Sequence, residues 1–146
     1  GSGAVGSSKR ELAALKALAA KELKNGKPLI EDPRFRDRLS RVEIELDALA
    51  LTSMRFLDKM RRSGQPPGAD VSMLKIRGTE IQQAITELMM QAVGPLAQPF
   101  VAVEGGAVDP LVSRLAPRYF NYRKTSIYAG SNEIQRNIIA KMALGL

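Results

Sequence analysis

The chain contains no cysteine and no histidine. The first absence excludes a disulfide framework and a thiolate nucleophile, and the second excludes histidine general-base chemistry within these residues. Together they remove the usual ligands of transition metals, so no metal site is expected. No apolar run approaches the roughly 20 residues that cross a bilayer. Aromatic residues make up 5%, and they do not interleave with basic ones as a stacking platform for nucleic-acid bases requires. Zero cysteine agrees with a reducing compartment, and a cytoplasmic location is the expectation.

At 146 residues the chain fits one domain, a size that buries roughly 68–70% of its unfolded surface. A hydrophobic share of 45% with 25% charged residues is ordinary for a globular protein. The opening Gly1-Ser2-Gly3, without an initiator methionine, has the form of a cleaved-tag remnant (residues 1–3), which leaves 4–146 as the folding unit. Twenty-two Lys and Arg against fifteen Asp and Glu give a net charge of +7. That excess suits a surface for nucleic acid or another acidic ligand. It also suits solvated helix faces, which the alternation of sign in 11–22 and 34–47 favours.

The periodicity is helical throughout, and the expected fold is an all-α, up-and-down four-helix bundle. A first helix over 8–24 opens with Ser8 and Glu11 in capping-box spacing. It carries Leu12, Leu15, Ala19 and Leu23 on one stripe and ends at Asn25-Gly26. A second starts at Asp32-Pro33, a cap residue with proline at the first helical position. In it Leu39, Val42, Leu46, Leu49, Ser53, Phe56 and Met60 form a heptad seam that stops at Ser63-Gly64. A third covers 70–93, with Leu74, Gly78, Ile81, Ile85, Leu88 and Ala92 inward; Gly78 there implies close approach to a neighbouring backbone. The proline-rich stretch 94–117 reads as a long loop, a feature that is often functional. A last helix over 132–143 places Ile134, Ile138, Ile139 and Met142 on its apolar side.

The most informative segment is Tyr128-Ala129-Gly130-Ser131-Asn132-Glu133-Ile134-Gln135-Arg136. A glycine leads into a small hydroxyl residue and then directly into a helix, with Ser131 at the N-cap and Glu133 in the first turn. Such a turn presents backbone N–H groups and a positive dipole end to an electron-rich partner. Each residue also has a purely local use, since Ser131 caps and Glu133 complements the dipole.

This segment, with the closing run from Tyr119 to Leu146, resembles the C-terminal motif of acyl-CoA dehydrogenases. Ser72-Met73-Leu74-Lys75 through Thr79-Glu80 is similar to the corresponding family helix, and Gln91-Ala92-Val93-Gly94 matches the family's Gln-x-x-Gly. The resemblance implies an FAD-dependent enzyme that removes two hydrogens from the α,β bond of an acyl-CoA thioester. A carboxylate takes the α-proton and the flavin takes the β-hydride. It implies that Gly130, Ser131 and Glu133 line the isoalloxazine edge, while Gln91 and Gly94 approach the FAD of a facing subunit. Acyl-CoA, an electron-transfer partner and oligomer formation through the bundle belong to the same expectation, and the phosphates of acyl-CoA suit the basic bias.

Three departures stand out. Ala129 occupies the position of the glutamate that serves some members as base, so no catalytic residue is assigned within this chain. The base is expected from the helix preceding these residues; a partner subunit and an inactive parent are the alternatives. Pro95 replaces the family's second glycine and removes a backbone donor. Asn25-Gly26-Lys27-Pro28-Leu29 stands where the family has a Phe-Gly segment, and Glu22 takes the place of its cofactor-binding arginine, with Lys21 or Lys24 as substitutes. These departures are similar to those of bacterial members that work as two unlike subunits or on unusual acyl chains. The family's N-terminal helical and β-rich middle domains are not in the sequence, so the isolated chain is expected to be inactive with weak flavin affinity. A free-standing helical bundle that binds a partner is the competing reading, and a basic nucleic-acid module is third. Tyr119, Tyr122 and Tyr128 are expected to pack rather than to stack on a cofactor.

Overall fold

The computed structural model describes residues 2–94 and 110–146. Among these residues five helices carry the fold: α1 (Ser2–Lys21), α2 (Pro33–Ser63), α3 (Ala69–Val93), α4 (Pro110–Arg123) and α5 (Asn132–Leu144). The all-α expectation holds. Among the described residues no helix is long and apolar enough to cross a membrane.

α2 follows the local signals closely. The Asp32 carboxylate accepts from the Phe35 N–H at 3.0 Å, and Pro33 opens the first turn. That N–H, followed by the Lys24 ammonium, holds the Asp32 carboxyl below the usual carboxylate range. Gly64, at φ 62°, closes the helix with its N–H on the Met60 carbonyl. Of the heptad seam, Leu39, Val42, Leu46 and Leu49 are buried, whereas Ser53, Phe56 and Met60 are only half-buried. The C-terminal half of α2 outruns its packing partners.

α3 is the central helix, packed against each of the other four. Ile76, Ile81, Ile85, Leu88, Met89, Ala92 and Val93 are buried around its circumference, the pattern of a helix enclosed on several sides. Gly78 does not mark a backbone contact. A methyl built there would meet only Leu49 Cδ2, at 3.9 Å, an ordinary distance. Gly78→Ala is therefore expected to stabilise the chain by about 0.5–1 kcal/mol through the unfolded state. A thermal melt showing a loss instead would reveal a constraint outside this chain.

α1 departs from its expectation at both ends. The helix begins at Ser2, so Ser8 lies mid-helix and buried, and no capping box forms with Glu11. Both face inward. The Glu11 carboxylate accepts from the Arg118 guanidinium and, at 2.9 Å, from the Tyr122 hydroxyl, both on α4. The helix stops at Lys21, and the chain turns through a small antiparallel hairpin, β1 (Leu23–Lys24) and β2 (Lys27–Pro28). Asn25 at φ 53° and Gly26 at φ 78° form its two-residue tip, so Asn-Gly acts as a hairpin turn rather than a helix cap. Leu23 leaves the apolar stripe and is exposed, and Leu18 joins Leu12, Leu15 and Ala19 in the core.

The stretch 94–117, read as loop, contains most of a helix. α4 starts at Pro110, where a missing N–H costs nothing, and carries Pro117 in its interior. Burial of Leu115 and Ala116 and the bonds to Glu11 outweigh the lost helical hydrogen bond. Residues 95–109, including Pro95, Pro99, Gly105 and Gly106, lie outside the described residues. α5 also differs from its expectation. None of Ile134, Ile138, Ile139 and Met142 is buried, and Ile134 and Met142 are largely exposed.

Candidate functional site

The turn ahead of α5 runs through a backbone conformation that most residues disfavour. Ala129 sits at φ 54° and Gly130 at φ 89°, two successive left-handed residues. Ser131 then returns to extended geometry, and its hydroxyl accepts from the Ile134 N–H at 3.3 Å as the N-cap.

Alanine at positive φ costs about 1–2 kcal/mol, a cost glycine avoids. Ala129→Gly is accordingly expected to stabilise the fold by about 1 kcal/mol, and Gly130→Ala to destabilise it by a similar amount. In the second variant most of the cost is backbone strain. The new methyl would stand 2.7 Å from Gln135 Nε2, but that amide can swing aside. Urea midpoints moving in opposite directions for the two variants would verify the turn; equal shifts would refute it.

Lys75 on α3 anchors this turn. Its ammonium donates to the Gly130 carbonyl at 2.7 Å and to Asn132 Oδ1 at 3.0 Å. The buried Asn132 amide donates onward to Thr79 Oγ1 at 3.2 Å, and Thr79 donates to the Ile76 carbonyl. Arg136 reaches Glu80 at 3.4 Å. One face of α3 therefore fixes the start of α5 by polar contacts, with Lys75 adding positive charge beside the helix N-terminus. Glu133 is exposed; its own backbone N–H and then the Ser131 hydroxyl hold its carboxyl below the usual range. Ile127, Tyr128 and Ile134 flank the turn as exposed apolar side chains.

Gln91 and Gly94 lie elsewhere. Gln91 is sixteen residues beyond Lys75 on the same helix, about 24 Å away at a rise of about 1.5 Å per residue. Its Oε1 accepts from Arg38 Nη1, on α2, at 2.8 Å. Gly94 adopts φ 69° and ψ −143° and caps α3, its N–H on the Met90 carbonyl. Among the described residues nothing stands within 4 Å of where its Cβ would be. The structure thus joins Gly130, Ser131 and Glu133 in one place and puts Gln91 and Gly94 at the opposite end of α3.

At the hairpin, Glu22 itself supplies no phosphate ligand. The Glu22 carbonyl is taken by the Leu29 N–H at 2.7 Å, and its side chain is an anion. Lys24, one of the two proposed substitutes, is committed to Asp32 at 3.1 Å, which leaves exposed Lys21. Tyr119 and Tyr122 pack as expected. The Arg123 guanidinium lies 4.2 Å from the Tyr119 ring centroid, and Tyr122 bonds Glu11. Tyr128 does not pack and is mostly exposed.

Two of these residues had no assigned role from sequence. Lys75 lay within a family-like stretch, but its reach to Gly130 crosses 55 positions. Arg38 carried no signal, because its pairing with Gln91 is purely tertiary.

The sequence model of the acyl-CoA dehydrogenase C-terminal domain matches residues 1–144. The acyl-CoA dehydrogenase IpdE1 of Mycobacterium tuberculosis is 34% identical over 116 residues, 80% of this chain and 28% of that protein. The ChsE4-ChsE5 complex from Mycobacterium tuberculosis superposes with a TM-score of 0.72 at 27% identity, covering 98% of this chain and 35% of the other. A complex of PigA with FAD gives a TM-score of 0.76 at 25% identity, covering 98% and 34%. The chain therefore spans only about a third of the length of these relatives, or less.

Proposed function

Because the chain belongs to the acyl-CoA dehydrogenase family and corresponds to its C-terminal domain, we propose that it serves an FAD-dependent dehydrogenase acting on the α,β bond of an acyl-CoA thioester. The observation that carries this reading is the Ala129–Gly130–Ser131 turn held by Lys75 and Asn132. Its donors and positive end suit the electron-rich edge of an isoalloxazine, and its exposed apolar flank suits a flat ring. Bound FAD would accept the hydride. The chain's own residues would position the ring edge through Gly130 and Ser131 and place the Lys75 charge nearby.

Ala129 offers no proton acceptor, so the carboxylate that takes the α-proton comes from residues outside this chain, and we assign it to the segment that precedes it. The distance between the Ser131 turn and Gln91 supports two copies each contributing to the other's cofactor. A second copy, or an unlike family member, would cover Ile44, Leu51, Met54 and Leu57, which are exposed along α2.

The test is spectroscopic. The full-length protein should carry bound flavin that bleaches anaerobically on addition of a matching acyl-CoA, whereas the isolated 146-residue chain should fold without retaining flavin. Full-length protein that neither copurifies with FAD nor takes it up would overturn the proposal and favour a partner-binding bundle.

A further inference from the structure

We propose that Glu11 is a positioning residue: through Arg118 and Tyr122 it sets the register of α1 against the Gly130–Ser131 turn. This role rests on the function proposed above, in which the base belongs to the segment preceding α1.

Among the described residues Glu11 is the one charged side chain that is buried. Its Oε1 accepts from the Arg118 guanidinium and the Tyr122 hydroxyl, and its Oε2 has no partner among those residues. An unsatisfied buried oxygen costs stability, and a half-exposed arginine returns little of it. A packed apolar side chain would serve the fold at least as well. What the carboxylate adds is direction.

The apolar contacts of α1 come from Leu12, Leu15, Leu18 and Ala19, and contacts of that kind are non-directional. They tolerate a small slide or rotation of the helix, whereas charge-assisted hydrogen bonds fix it. Arg118 and Tyr122 stand one turn apart on α4 with the guanidinium 5.7 Å from the ring centroid, and both converge on one oxygen. The end of α4 is tied in turn to α3. Gln83 Nε2 donates to the Tyr122 carbonyl at 3.2 Å, and Arg123 Nη2 donates to the Gln83 carbonyl at 2.9 Å. Lys75 of the same α3 holds the Gly130 carbonyl. Polar bonds thus link α3, α4 and the turn, and Glu11 joins α1 to that unit. The ion pair of Lys16 with Glu43 runs instead to α2 and is open to water. Glu11 lies nine residues into α1 from Ser2, about 14 Å at a rise of about 1.5 Å per residue. A slide of α1 would carry the preceding segment with it and leave the turn in place.

The experiment compares full-length wild type, Glu11→Met and Glu11→Gln. It measures melting temperature, FAD affinity and the rate of anaerobic flavin bleaching across a chain-length series of acyl-CoA thioesters. Glu11→Met should melt no lower than the wild type and bind FAD equally well. At saturating acyl-CoA it should bleach roughly 10- to 100-fold more slowly, the effect of misplacing a reacting group by about 1 Å, with the half-saturating concentration unchanged. Glu11→Gln keeps an acceptor for both donors and should bleach at close to the wild-type rate. Wild-type bleaching in Glu11→Met would overturn the proposal. So would equal slowing in both variants, which would assign the effect to charge, or a loss of rate that tracks a lowered melting temperature. Weakened FAD binding in Glu11→Met would place the displacement at the turn and overturn it too. Wild-type protein that takes up no FAD, or that no acyl-CoA bleaches, would overturn the underlying function instead.

Discussion

Ile85→Ala is expected to lower the unfolding free energy of the chain by about 2–5 kcal/mol, from lost transfer energy and the cavity left behind. Ile85 has no exposed surface and lies on the one helix that packs against all the others. It belongs to the core cluster that draws on α1, α2, α3 and α4. A domain of this size is stable by about 5–15 kcal/mol, so the loss is a large fraction of the whole. Ile85→Val should cost about 0.5–1.5 kcal/mol. Leu51→Ala, on the exposed side of α2, should stay within about 0.5 kcal/mol in the monomer. Urea denaturation of the three variants with unchanged slope would measure this order. If Ile85→Ala proved as mild as Leu51→Ala, α3 would not be the centre of the core.

The second large effect is asymmetric. Arg118→Met is expected to cost about 3 kcal/mol, whereas Glu11→Met should be neutral or mildly stabilising. The Glu11 side chain is 6% exposed and its Oε2 has no hydrogen-bond partner among the described residues, while Arg118 is 42% exposed. Removing the arginine leaves a buried carboxylate with only the Tyr122 hydroxyl for support. Removing the glutamate frees an arginine that water already reaches, and it eliminates an unsatisfied buried oxygen, itself worth about 1–3 kcal/mol. The double variant should return close to the wild type. A thermodynamic cycle giving equal penalties for both single changes would mean that the pair contributes net stability, contrary to this account.

What the sequence made legible follows the range of the interactions involved. α2 could be bounded at both ends because Asp32-Pro33 and Gly64 act on their own neighbours. Ser131 could be read as a cap for the same reason. α4 could not be read, since Pro117 argues locally against a helix and the compensation comes from Glu11, more than a hundred positions away. The Asn25-Gly26 signal was correct as a turn and misplaced as a cap, because both turns require a left-handed residue. At the candidate site, the Gly130–Ser131 turn was visible as a pattern. Lys75 and Arg38 were not, because each owes its place to a contact across more than fifty positions.

The spacing of the two proposed half-sites along one helix would separate their fates. In an assembly where each copy lends its Gln91 end to a neighbour and keeps its Ser131 end for itself, damage to one end leaves the other serviceable. A copy broken at Ser131 and a copy broken at Gln91 would each fail when paired with its own kind. Paired with each other, they would rebuild one undamaged cofactor position from two defective polypeptides. Lesions at opposite ends of α3 would then rescue one another in a mixed population, and lesions at the same end would not.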